Sequence, residues 1–150
     1  MRPTVLAAAA LLLVPAVHAQ DAAPSRAKPF TAEETTRYME LGRRANRYFF
    51  EGQADSLLAM GDSAFAARVG GIDGIRQQVA NIGDRAGMPL TVLEQKMTRR
   101  NGAPQFWWEA EFSEFTAEPL VFRWLFNEQG QLVGAGMSPK SQARMDPVQE

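Results

Sequence analysis

Cysteine is absent from the 150 residues, and histidine occurs once, as His18. The missing thiols exclude disulfide staples, Cys/His zinc sites, thiol redox chemistry and lipid attachment to an N-terminal cysteine. With no histidine beyond the N-terminal segment, no Ser/His/Asp or Cys/His catalytic constellation can form in the body of the chain. An excess of charge of either sign is also missing. Sixteen Lys plus Arg stand against 17 Asp plus Glu, a formal net charge of −1, which leaves no electrostatic case for nucleic acid. What is present, 45% hydrophobic and 22% charged residues, is the composition of an ordinary globular protein of one domain.

The one long apolar run, Val5 to Val14, follows Arg2 and ends at the helix-breaking Pro15. Val17-His18-Ala19 then places small residues at the two positions that a signal peptidase reads, so residues 1–19 predict a secretory signal peptide and a periplasmic or extracellular protein. Pro15 cuts the run short of the roughly 18 residues a membrane span needs, and no second candidate follows. Cleavage after Ala19 leaves 131 residues, enough to bury a core without bridges. Residues 20–29 read as a linker and 138–150 as a polar, disordered tail carrying Pro139 and Pro147, with the folded domain over 30–137.

Thr31-Ala32-Glu33-Glu34 has the form of a capping box, and a helix is expected from there. Tyr38, Leu41, Ala45, Tyr48 and Phe49 recur at steps of three and four on one face, and Gly52 is placed to stop it. Glu40, Arg43, Arg44 and Arg47 fall on the polar side as a solvated face rather than an anion site. Residues 53–60 suggest a shorter helix, and 61–69 are ambiguous. Ile72, Ile75, Val79 and Ile82 make a further helical stripe, bounded by Gly70-Gly71 before and by Gly83 and Gly87 after. No Gly-Lys-Ser/Thr follows the doubled glycine, so it is not read as a phosphate loop.

From Leu90 the period changes to two. Asn101-Gly102 supplies a hairpin turn. Phe106, Trp108, Ala110 and Phe112 alternate with Trp107, Glu109, Glu111 and Ser113, which predicts one core face and one wet face. Leu120, Phe122, Trp124 and Phe126 alternate with Val121, Arg123 and Leu125, and residues 127–130 turn into a last strand over 131–136. Helices followed by an antiparallel meander of about four strands give an α+β fold, with the helices packed on one face of the sheet.

This pattern resembles the nuclear-transport-factor-like superfamily, also called SnoaL-like or cystatin-like. The resemblance rests on the capped helix with Tyr38, Leu41, Ala45, Tyr48 and Phe49, on Gly71-Ile72-Asp73-Gly74-Ile75, on Phe106-Trp107-Trp108, and on the Asn127 to Val133 hairpin. It covers residues 30–137 and is similar to an uncharacterised envelope domain found alone or ahead of serine-hydrolase domains. The resemblance implies helices cupped by a strongly curved, cone-shaped sheet. Its members include isomerases, dehydratases and polyketide cyclases as well as non-catalytic binding and assembly modules, so activity must be argued from the residues.

The superfamily's Asp/His pair is absent. Its other arrangement, a carboxylate base with a Tyr donor, leaves Asp62 with Tyr48 as the candidates, although Tyr38 and Tyr48 also read as core aromatics. Asp55, Asp73 and Asp84 sit where helix capping explains them. Glu109 and Glu111, about 7 Å apart on one strand, read as a solvated face that Arg123 can pair with, in preference to a catalytic or cation-binding pair. No catalytic residue, metal or cofactor is assigned. Tyr48, Phe106, Trp108, Phe112, Phe122 and Trp124 form either plain core or an apolar pocket for a small ligand at the open end of the cone. Trp107, with Val121 and Leu125, is expected as an exposed apolar patch and hence a homodimer interface. The expectation is an exported, non-catalytic module that binds a small apolar ligand or a protein partner. The alternatives are a small isomerase or dehydratase and an envelope assembly factor docking through its sheet face.

Overall fold

A computed structural model of the chain describes residues 28–145, so the expected signal peptide lies outside the described residues, as does most of the 20–29 linker. Helix α1 runs over Ala32–Phe50 and starts at the capping box: the Glu34 N–H donates to Thr31 Oγ1 at 3.1 Å and the Thr31 N–H to Glu34 Oε2 at 2.8 Å. Its buried face carries Tyr38, Gly42, Ala45, Asn46 and Phe49. Helix α2 covers Ala54–Ala59. The ambiguous stretch that follows is helix α3, Ser63–Val69, because Asp62 Oδ1 accepts from the Phe65 N–H at 2.7 Å and caps it. Gly70 and Gly71, both at positive φ, turn the chain into helix α4, Gly71–Ala86. Gly83, expected as a boundary, lies inside α4. A helical glycine costs only about 1 kcal/mol, and the stop comes instead at Gly87, with φ 75°.

Four antiparallel strands follow in the spatial order of the chain: β1 Pro89–Arg100, β2 Ala103–Phe112, β3 Leu120–Phe126 and β4 Leu132–Pro139. The β1–β2 turn holds Asn101 at φ 52° and Gly102 at φ 79°, the left-handed pair that a two-residue hairpin with the sheet's own twist requires. The fold is α+β, helices first, with a curled and unclosed sheet. Its core lies between the helices and the inner face of the sheet, where Phe106, Phe112, Phe122, Trp124 and Phe126 meet Tyr38, Ala45, Phe49, Leu57 and Phe65. The α2–α3 junction is tied to the first residue of β4: the Leu132 N–H donates to the Met60 carbonyl at 2.8 Å and the Asp62 N–H to the Leu132 carbonyl at 3.1 Å.

The outer face of β2 is wet only at its far end, where Glu111 and Ser113 are exposed as expected. Gln105, Trp107 and Glu109 are all buried. The tail expected from residue 138 onward also needs correction within the described residues: β4 runs to Pro139, and Lys140–Gln142 form a short 3-10 helix. Lys140 Nζ donates to Glu109 Oε1 at 2.8 Å, and Gln105 Nε2 donates to the Arg144 carbonyl at 3.1 Å. Residues 140–144 therefore form a strap tied to β2 at Glu109 and at Gln105, the outer-face residues on either side of Trp107. Glu118 fixes the start of this strap, accepting from the Ser141 N–H and hydroxyl at 2.8 Å each. Polar composition suggested an unpacked tail, but the polar groups are the ones that anchor it.

Candidate functional site

The helices do not fill the inner face of the sheet. A cavity of about 170 Å³ remains between α3, α4 and the β3–β4 pair. Its floor is Phe49, Leu57 and Phe65, one from each of the first three helices, and its helical wall is Val69, Ile75 and Ile82. The sheet side is set by register. Trp124 stands opposite Ala135 and Phe122 opposite Met137, so all four point inward, while Gly134 and Gly136 face out. The small Ala135 beside the large Trp124 leaves the space that a bulkier residue on β4 would occupy. Gln78, Asn81 and Ala135 are the lining residues most exposed to solvent, and they mark the mouth between α4 and β4.

The wall is stiff. Phe49 packs on Phe122 at 5.2 Å and edge-on to Trp124 at 5.8 Å between ring centroids. Trp124 Nε1 donates to Asn46 Oδ1, which fixes the indole and consumes its only polar group. No Asp, Glu, Lys or Arg lines the cavity. Among the described residues no group of three or more His, Cys, Asp or Glu could hold a metal ion.

Of the six residues expected to bind ligand, Phe122 and Trp124 line this cavity. Phe106 lies under α1, where Gly42 allows the ring to approach so closely that a Cβ at 42 would fall 2.0 Å from it. Trp108 and Phe112 pack edge-on at 6.2 Å and enclose Phe50, away from the cavity. Tyr48 is half-buried, with the Arg47 guanidinium 5.4 Å above its ring. Asp62, its proposed catalytic companion, caps α3, and neither residue lines the cavity. Tyr38 donates its hydroxyl to the Asn127 carbonyl at 3.1 Å. The sequence pattern placed Phe49, Leu57, Ile75 and Ile82 on apolar stripes without distinguishing cavity wall from solid core; Phe65 and Val69 lay in the stretch it left open.

The expected association patch is corrected by burial. Trp107 is 4% exposed and Val121 0%, while Leu125 is half-buried and lies over Gly134. The strap is anchored on either side of Trp107, and the Lys96 ammonium stands 5.1 Å from its ring centroid. The pairing expected of Arg123 with Glu109 or Glu111 is replaced: Arg123 Nη2 donates to Ser138 Oγ at 3.1 Å, and Glu109 takes Lys140. Burial, and secondarily the charge of Arg100, lowers the Arg123 pKa, whereas the hydrogen bond and charge of Glu109 raise that of Lys140. Trp107 Nε1, Glu109 Oε2 and Arg123 Nε remain buried without a partner among the described residues. The large apolar side chains that do reach solvent are Met145, just past the strap, and Met88, Leu90, Val92 and Leu93, at and just before the bulged start of the β1 edge strand. No family model matches the chain, and no curated protein matches it.

Proposed function

We propose that the protein is an exported, non-catalytic binding module of the nuclear-transport-factor-like type, which holds one small apolar molecule in the cavity between α4 and β4. The observation that carries this reading is the cavity's chemistry: a mainly apolar, half-open space with a solvent-facing mouth and no ionisable side chain in its lining. Its size limits the occupant. An apolar cavity of about 150 Å³ stays dry and takes up benzene or xenon, so about 170 Å³ suits a single six-membered ring with a small substituent or a short branched chain. The absence of Tyr48 and Asp62 from the lining favours binding over the isomerase or dehydratase alternative. Helices laid across a curled sheet support the family reading, and the Arg2 to Ala19 pattern supports export.

Toluene tests this directly. A ligand present at 100 times its Kd stabilises the folded state by about 2.7 kcal/mol, so near-saturating toluene raises the thermal midpoint by several degrees. In Ala135→Phe, where an aromatic ring plugs the mouth, that rise disappears. An unchanged midpoint for the wild-type chain under near-saturating toluene contradicts the reading.

A further inference from the structure

Two amides stand at the mouth of an otherwise apolar cavity. Gln78 and Asn81 are three residues apart on α4, so their Cβ atoms lie about 5–6 Å apart on one helix face. Gln77 Nε2 donates to Asn81 Oδ1 at 3.0 Å, which leaves Asn81 Nδ2 with no partner among the described residues; the reversed pair of amides would leave Oδ1 instead, so in either order Asn81 has one polar atom to offer. Gln78 makes no hydrogen bond among the described residues, so it offers both an acceptor and a donor. No other lining side chain has a polar group to give, since the indole N–H of Trp124 is already held by Asn46.

From this arrangement we infer that the cavity selects a ligand with an apolar body and one uncharged hydrogen-bonding head group, which Gln78 and Asn81 read at the mouth. The inference rests on the cavity reading above and narrows its ligand class. A hydrocarbon fills the space but leaves both amides to water. A carboxylate or ammonium head loses hydration against a lining that holds no counter-charge. A hydroxyl both donates and accepts, so it can bridge Gln78 and Asn81 in either amide order, with the body remaining among Phe65, Ile75 and Trp124.

Toluene, p-cresol and p-toluate share one body and differ in the head, and isothermal titration of each against the full-length mature chain separates the two claims. One net hydrogen bond predicts that p-cresol binds about three- to tenfold tighter than toluene, with p-toluate the weakest of the three. In the Gln78→Ala/Asn81→Ala double variant, the p-cresol to toluene ratio falls to about one. Both positions are solvent-exposed on a helix, so alanine is compatible with the fold there. If toluene binds as well as p-cresol to the wild-type chain, or if the ratio survives the double variant, the head-group inference fails while the cavity reading stands. If none of the three binds, both fail.

Discussion

Gly42 sets how closely α1 approaches the sheet. A Cβ at this position would fall 2.0–2.5 Å from three atoms of the Phe106 ring, in the middle of a packed core. Helix propensity favours alanine over glycine by about 1 kcal/mol, yet the ring has no empty space to move into, so Gly42→Ala is expected to destabilise the fold by about 1–3 kcal/mol. Urea unfolding measures this, and the sign is the informative part: a gain would mean that α1 can lift off β2. At the start of the same helix, the hydrogen bond from the Thr31 N–H is the main cause of a lowered Glu34 pKa. A lowered carboxylate pKa contributes stability that is present above its unfolded value and is lost as the pH falls through its folded value. Glu34→Gln keeps a capping partner without the titration. The variant is therefore expected to lose less stability than the wild-type chain between about pH 5 and pH 3, as read by denaturant titrations across that range.

The elements that period and capping announce are the ones the sequence made legible. Thr31 with Glu34 starts α1, the turn at Asn101-Gly102 joins β1 to β2, and alternation from Phe106 to Phe112 picks out the inner face of the sheet. What stayed hidden is tertiary. Alternation marks the two faces of β2 but not what covers the second, and the strap over 140–144 is held by polar contacts at Lys140, Ser141 and Arg144 that carry no periodic signal. Trp107, Val121 and Leu125 looked available for a partner for this reason, and the chain itself covers Trp107 and Val121. The strap also gives the ion pair its consequence. Glu109 is buried and Lys140 is its charged partner, so Lys140→Met leaves a carboxylate in the interior with neither of its oxygens paired. The thermal midpoint of that variant is expected to fall by several degrees, and adding Glu109→Gln is expected to restore part of the loss. Equal midpoints for wild type and Lys140→Met would show that the strap is not anchored there.

At the scale of the molecule, the candidate site is a packing defect with a direction. Three helices supply its floor, α4 and β4 stand apart at its mouth, and the small inward residue Ala135 keeps the space from closing. The sequence pointed to an aromatic-lined pocket and named Phe122 and Trp124, but it could not tell these from Phe106, Trp108 and Phe112. All five are inward on neighbouring strands, and only the position of the helices separates filled volume from empty. The polar half of the site was invisible for a related reason: Gln78 and Asn81 read as the solvent side of an amphipathic helix until β4 is placed opposite them. The account therefore stands on the cavity being real, apolar and reachable from solvent. Crystals of the protein pressurised with xenon test this most directly. The account predicts one strong xenon peak bounded by Phe65, Ile75 and Trp124; side chains or ordered water filling that space, with no xenon bound, would contradict it.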